Sequence, residues 1–104
     1  MKAVYEVRVE VDNEVAAEYL IWLREHMKKI VEAVGFEKAD LFTLEHESPR
    51  VATWVVQYVA SSRVTIEDYL NHHSKSFRGD AIHRFGGKFK IERRILNFQE
   101  SFPA

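Results

Sequence analysis

Apolar positions recur along this chain with two periods, two and three-to-four, and the switches between them mark its elements. In Val51–Ala60, VATWVVQYVA, both phases of the alternation are largely apolar. A strand that is wet on one side carries polar residues in one phase, so this one is expected to be a central strand covered on both faces. The phase of Val51, Val55 and Val59 is assigned to the helices, with Gln57 as a polar exception facing a pocket. The phase of Trp54, Val56 and Tyr58 is assigned to a second subunit.

The flanking segments supply the cover. Ala3–Val11 reads as a strand with Ala3, Tyr5, Val7, Val9 and Val11 on one face and Val4, Glu6, Arg8 and Glu10 on the other. Asp12 and Asn13 offer an N-cap oxygen to a helix running from Glu14 to Val34, which Gly35 terminates. Its apolar stripe is Ala16, Leu20, Leu23, Met27, Ile30, Val31 and Val34, flanked by a row of Tyr19, Trp22 and His26. Phe36–His46 is the second strand, with Ala39, Leu41 and Thr43 on one face and Phe36, Phe42 and Leu44 on the other. The polar turn Glu47-Ser48-Pro49-Arg50 joins it to Val51–Ala60 as a hairpin. Thr65 and Asp68 resemble a capping box opening a second helix. Ser74 and Gly79 weaken that helix, which predicts a kink or a break. Gly86-Gly87 ends it, and Lys88–Phe98 is the last strand, with a bulge near Arg93-Arg94 to account for its shift of apolar phase.

Strand, helix, strand, strand, helix, strand is the split βαβ order of an α+β, ferredoxin-like βαββαβ fold. Right-handed crossovers put the helices on one face of a four-stranded antiparallel sheet, with the first and third strands in the centre. The other face is expected to carry Val4, Phe42, Leu44, Trp54, Val56, Tyr58 and Leu96. Such a patch is larger than monomers usually expose, and a second copy packed sheet to sheet about a two-fold axis is its economical cover. Glu6, Arg8 and Glu10 share that phase, and would need to reach the rim or find partners, since unpaired buried charge is costly.

At 104 residues the chain fits a single domain spanning 1–104, and 46% hydrophobic with 30% charged residues is ordinary for a soluble protein. A formal net charge of −1 gives no global basic surplus for nucleic acid. There is no cysteine, hence no disulfide framework or thiolate chemistry, and MKAVYEVRVEV lacks the apolar run of a signal peptide or membrane span. A cytoplasmic location with no membrane partner is the expectation.

Four groups of residues invite chemistry. His26 lies one turn beyond Trp22, beside the core stripe, where an imidazole could move a proton near neutral pH; a half-buried boundary histidine is the plainer alternative. His73 falls on the apolar side of the second helix and is the other catalytic candidate, while Tyr5, Trp22 and Gln57 are candidate ligand-binding residues of a pocket between helices and sheet. His72, His73 and His83 lack the spacing of a helical ligand pair, so no metal and no cofactor is expected. Gly86-Gly87-Lys88 lacks the frame of a phosphate loop and follows a helix instead of preceding one. Arg84, Lys88, Lys90, Arg93 and Arg94 form a locally basic segment able to hold an anionic ligand, with a solvated face or ion pairs as the alternative.

The WLREH run on the first helix, the VQY stretch and the segment RFGGKF-x3-RRIL resemble an uncharacterised bacterial family of small dimeric α+β barrel proteins, a domain of unknown function. The resemblance implies a ferredoxin-like fold and a paired barrel. The wider superfamily holds cofactor-independent monooxygenases, haem-degrading enzymes and domains without known catalysis. The haem-degrading members are marked by an asparagine on the first strand, a late tryptophan on the third and a histidine on the second helix. Here no asparagine precedes Asn13 and Trp54 sits early in its strand, which weakens that option. The expectation is a homodimeric barrel binding a small apolar or aromatic molecule. The alternatives are a cofactor-independent monooxygenase or isomerase using His26 or His73, and a non-catalytic interaction or structural module.

Overall fold

The chain runs as β1 (Ala3–Asp12), α1 (Ala16–Val34), β2 (Lys38–Thr43), β3 (Val51–Ala60), α2 (Arg63–His72), α3 (Ser74–Phe85) and β4 (Phe89–Asn97) in a computed structural model that describes residues 1–46 and 48–104. The expected turn at Glu47 therefore falls partly outside the described residues. The strands form one antiparallel sheet in the order β2-β3-β1-β4, so the ferredoxin-like arrangement holds, with β1 and β3 central.

Register decides which residues look at the helices, because directly opposed residues of an antiparallel pair share a face. Tyr5 opposes Tyr58, Val7 opposes Val56 and Val9 opposes Trp54. The Trp54/Val56/Tyr58 phase is thus the helix-covered one, and all three residues are buried there. This reverses the assignment expected from the sequence: Val51, Val55, Gln57 and Val59 lie on the open face. Bulk explains the choice. Burial is worth about 25 cal/mol per Å² of apolar surface, so the phase with an indole and a phenol, each of large area, gains more beneath the helices than the valine phase does. Thr53 and Gln57, the two polar members of β3, both belong to the open phase.

Other local expectations change for identifiable reasons. β4 pairs with β1 in one unbroken register from Phe89 opposite Val11 to Asn97 opposite Ala3, without a bulge. Ile95 continues the phase of Phe89 and Ile91, and Arg93 is a polar residue set within that inner row. On α1 the row of Tyr19 and Trp22 is buried with Leu23, Met27 and Ile30, whereas Leu20 is only half-buried, so the helix is turned toward its aromatic row. Phe36 packs inward against Tyr58 and Tyr69, with ring centroids 5.3 and 6.0 Å away, instead of sharing a face with Phe42.

Neither Asp12 nor Asn13 caps α1; Val15 occupies the cap position, and the Asn13 side-chain amide donates to the Pro49 carbonyl. Gly35 does end α1 in the left-handed region, at φ 82°, with its N–H donating to the Val31 carbonyl. No capping box forms at Thr65 and Asp68, because α2 already begins at Arg63. The break predicted near Ser74 occurs at His73, and the Ser74 hydroxyl donates to the Leu70 carbonyl at 3.0 Å. Gly79 does not interrupt α3. Among the described residues, no helix is long and apolar enough to cross a membrane.

Candidate functional site

Between the helices and the inner sheet face lies a cavity of about 350 Å³. Its floor comes from alternate residues of the central strands, Tyr5, Val7 and Val9 of β1 with Val56 and Tyr58 of β3, as the period-two rule requires. One wall is α1, where Tyr19, Trp22, Leu23 and His26 project inward at helical spacing. The opposite side is made by Tyr69 of α2 and by Phe77, Arg78, Ala81 and Ile82 of α3, with Phe89, Ile91 and Arg93 of β4 below. Exposure locates the opening. The floor residues are mostly buried, while Arg78, Ile82 and Arg93 are exposed, so the cavity opens between α3 and the β4 edge.

Aromatic contacts hold the walls. Tyr5 stacks on Tyr58 at 6.0 Å between centroids and meets Tyr69 at 5.5 Å. Tyr19 meets Trp22 at 5.3 Å and Phe85 at 4.8 Å. Pairs of this geometry contribute about 0.5–1.5 kcal/mol beyond the area they bury. The Trp22 indole N–H donates to Asp80 Oδ2 at 2.6 Å, tying α1 to α3 beside the cavity. That bond, with the nearby Arg84 guanidinium, holds the Asp80 carboxyl below its ordinary range despite some opposing desolvation. Burial raises the Tyr19 and Tyr58 phenols well above their usual value and pushes Tyr69 up to about 12, so all three are neutral hydroxyls at neutral pH.

His26 is fixed between two rings. It stacks on Trp22 with centroids 4.4 Å apart and meets Phe77 edge-on at 5.4 Å. Burial, assisted by the Lys29 charge and opposed by Asp80, pushes its pKa down to about 4. The imidazole is neutral at physiological pH, able to accept or donate a hydrogen bond, but it is a weak base.

Of the residues singled out in the sequence, the fold brings Tyr5, Trp22 and His26 together at this cavity. It places the other two elsewhere. His73 leaves the end of α2 and its Nε2 lies 3.7 Å from Asp68, whose other oxygen is 3.8 Å from His72 Nε2. Gln57 sits on the open sheet face, where its side-chain amide donates to Glu6 Oε1 at 2.9 Å. Among the described residues, no group of three or more histidine or carboxylate side chains could hold a metal ion.

Sequence reasoning missed Tyr58, Tyr69, Arg78 and Arg93 as lining residues. Tyr58 was lost with the reversed phase of β3. Arg93 carries a usable signal, since it interrupts the row Phe89, Ile91, Ile95, but in sequence that interruption reads as a bulge. Arg78 carried a fainter one, four residues before Ile82 on the same row of α3.

The backbone is similar to several solved structures. A dimeric ferredoxin-like protein from an uncultured marine organism aligns at a TM-score of 0.74 and 15% identity over 97% of this chain and 98% of that one. SnoaB, a cofactor-independent oxygenase from Streptomyces nogalater, aligns at 0.71 and 13% over the whole of both chains. The de novo designed protein Foldit4 aligns at 0.62 and 13% over 95% of this chain and 100% of that one. At such identities the likeness extends to the fold alone, and a fold shared by an oxygenase and a designed protein carries no activity with it. No curated protein matches the chain. The family model described as Domain of unknown function (DUF4286) matches residues 2–99, so the chain belongs to that family.

Proposed function

We propose that the protein is a homodimer in which each subunit binds a small aromatic molecule in the cavity between helices and sheet. The observation that carries the binding half is the cavity itself. About 350 Å³ lies within the range of small-molecule sites, and aromatic and aliphatic walls with a few neutral polar groups are what such sites present. Tyr5, Trp22 and His26 are its proposed binding residues, joined by Tyr58 and Tyr69.

The homodimer is supported by the open sheet face. On its central strands Val55 lies mid-strand and Val4 pairs with Val59 near one end, and Phe42, Leu44 and Leu96 are 48%, 37% and 39% exposed. This patch is smaller than the sequence implied, because Trp54, Val56 and Tyr58 have moved inside. Its most buried charge is already answered within one protomer: Glu6 is 5% exposed and accepts from Gln57 and Arg94, while Arg8 and Glu10 lie in the same phase further along β1. Desolvation raises the Glu6 carboxyl, but these two hydrogen bonds and the Arg94 charge outweigh it and hold it below its ordinary range. A sheet-to-sheet dimer therefore buries no unpaired carboxylate at Glu6. A cytoplasmic setting, supported by the cysteine-free composition, belongs with this assignment.

A proton-transfer role for His26, as in a cofactor-independent monooxygenase or isomerase, is supported by its position in the cavity wall. Its depressed pKa argues for a hydrogen-bonding role first, because general bases work best with a pKa near the operating pH. His73, outside the cavity, has no substrate-facing position that would support the same role.

Titration calorimetry with two small aromatic probes, 2-naphthamide and 2-naphthoate, tests binding. Ile82 is 62% exposed at the opening, so Ile82→Trp should obstruct entry without disturbing the core. At least one probe is expected to bind, with a tenfold or greater loss in Ile82→Trp and an unchanged melting temperature. Failure of both probes to bind, or binding that ignores the substitution, overturns the cavity assignment.

A further inference from the structure

The cavity is lined by two arginines and by no carboxylate. Arg78 comes from α3 and Arg93 from the inner face of β4, and both are exposed where the cavity opens. Arg84 and Arg94, their neighbours along the chain, pair with Asp80 and Glu6. Arg78 and Arg93 have no ion-pair partner among the described residues, since neither lies within 4.0 Å of a carboxylate. Arg93 opposes Val7 on β1, so its stem leaves the sheet on the cavity side, between Ile91 and Ile95. A cation in that row costs packing that an aliphatic residue would supply, which favours a role at the opening over one in the core.

The two charges act on common ground. Both guanidinium groups pull the Tyr69 phenol down against the effect of burial, and Arg93 does the same to Tyr19. They thus reach the same wall of the cavity from two elements. The remaining polar groups there are phenols, the Trp22 indole and a neutral imidazole, none of them a carboxylate, so the lining is positive overall.

We infer that the ligand is an aromatic carboxylate, its ring held by the aromatic walls and its anionic group received at the opening by Arg78 and Arg93. Guanidinium groups suit this task because their planar fork matches a carboxylate and keeps its charge at every physiological pH. The ring enters first, toward Tyr5 and Tyr58, and the charged end stays where water still reaches it, which limits the desolvation it must undergo. This assignment rests on the cavity being a binding site for aromatic molecules, and it narrows the chemical class that site accepts.

The test compares 2-naphthoate with 2-naphthamide, which share ring and shape and differ in charge, by titration calorimetry on the intact protein and on Arg78→Gln, Arg93→Gln and the double variant. Both arginines are exposed, so the variants are expected to fold, and circular dichroism melting checks this. The expected result is naphthoate binding at least tenfold tighter than naphthamide in the native protein. That preference should shrink in each single variant and vanish in the double one through loss of naphthoate affinity, with naphthamide affinity changing far less. Equal binding of the two probes, or a preference that survives the double variant, overturns the anionic class while leaving the aromatic site standing. If neither probe binds, the aromatic site itself fails and the inference falls with it.

Discussion

The imidazole of His26 lies on the indole of Trp22, centroids 4.4 Å apart and planes within 23° of parallel, while the Nε1–H of the same indole donates to Asp80. One residue pair thus joins the cavity wall to the α1–α3 contact. A charged imidazole would be poorly accommodated there, because burial is the main cause of its low pKa.

That burial has a consequence for pH. The folded pKa of about 4 lies below the ordinary 6.5, so the unfolded chain binds the proton more readily between those values. The stability associated with neutral His26 is intact above pH 6.5 and is lost as pH falls through about 4. The maximum loss is about 3 kcal/mol, from a shift of roughly 2.5 pH units at 1.36 kcal/mol each. His26→Phe keeps a ring against Trp22 and removes the titration. Urea denaturation at a series of pH values should show the native protein weakening over this window and the variant weakening less, chiefly at its acid end where Glu6 and Asp80 begin to protonate in the unfolded chain. Parallel curves for the two proteins would contradict the buried neutral imidazole.

Two glycines should respond to the same substitution with opposite sign. Gly35 ends α1 at φ 82°, and no atom lies within 4 Å of where a Cβ would stand, so the cost of Gly35→Ala is conformational alone. It is expected to destabilise by about 1–2 kcal/mol, a fall in melting temperature of roughly 5–10 °C for a domain of this size. Gly79 lies inside α3 with equally open surroundings and no positive φ. Gly79→Ala should stabilise by about 0.5–1 kcal/mol, because alanine loses less backbone entropy in a helix. Thermal melts of the two variants decide the matter, and a shift in the same direction for both would show that their backbones are misassigned.

The fold was legible from period and punctuation. The order of elements, the break near Ser74 and the stop at Gly35 follow from apolar spacing and from residues with known backbone preferences. The face of β3 was not legible from its apolar count, since both phases were rich in apolar residues and a one-residue change of phase exchanges the faces. Its polar members, Thr53 and Gln57, held the answer. The helical half of the site was visible in Trp22 and His26 on one row, and Tyr5 was visible in β1. Tyr69, Arg78 and Arg93 became neighbours only through the packing of α2 and α3 over the sheet, which no local pattern encodes. Arg93 shows how a cavity-lining position can pass for an irregularity of the backbone.

The homodimer makes its own prediction at Val55. This residue opposes Arg8 on β1 and Phe42 on β2, at the middle of the open face. In an isolated protomer, Val55→Glu places a carboxylate across from the Arg8 cation, which cross-strand pairing tolerates or favours. In a two-fold sheet-to-sheet dimer the same change buries a carboxylate from each subunit, and even opposite Arg8 the desolvation of a buried pair, several kcal/mol per ion, can exceed its attraction. Dissociation should therefore be promoted at least about a hundredfold, since each 1.4 kcal/mol is a factor of ten. Light scattering after size exclusion, over a range of concentrations, should give a dimer mass for the native protein and a monomer mass for Val55→Glu, with unchanged circular dichroism. A monomeric native protein in concentrated solution would refute the dimer. A Val55→Glu variant that remains dimeric would instead move the interface off the sheet, to a surface that leaves Val4, Val55 and Val59 in water.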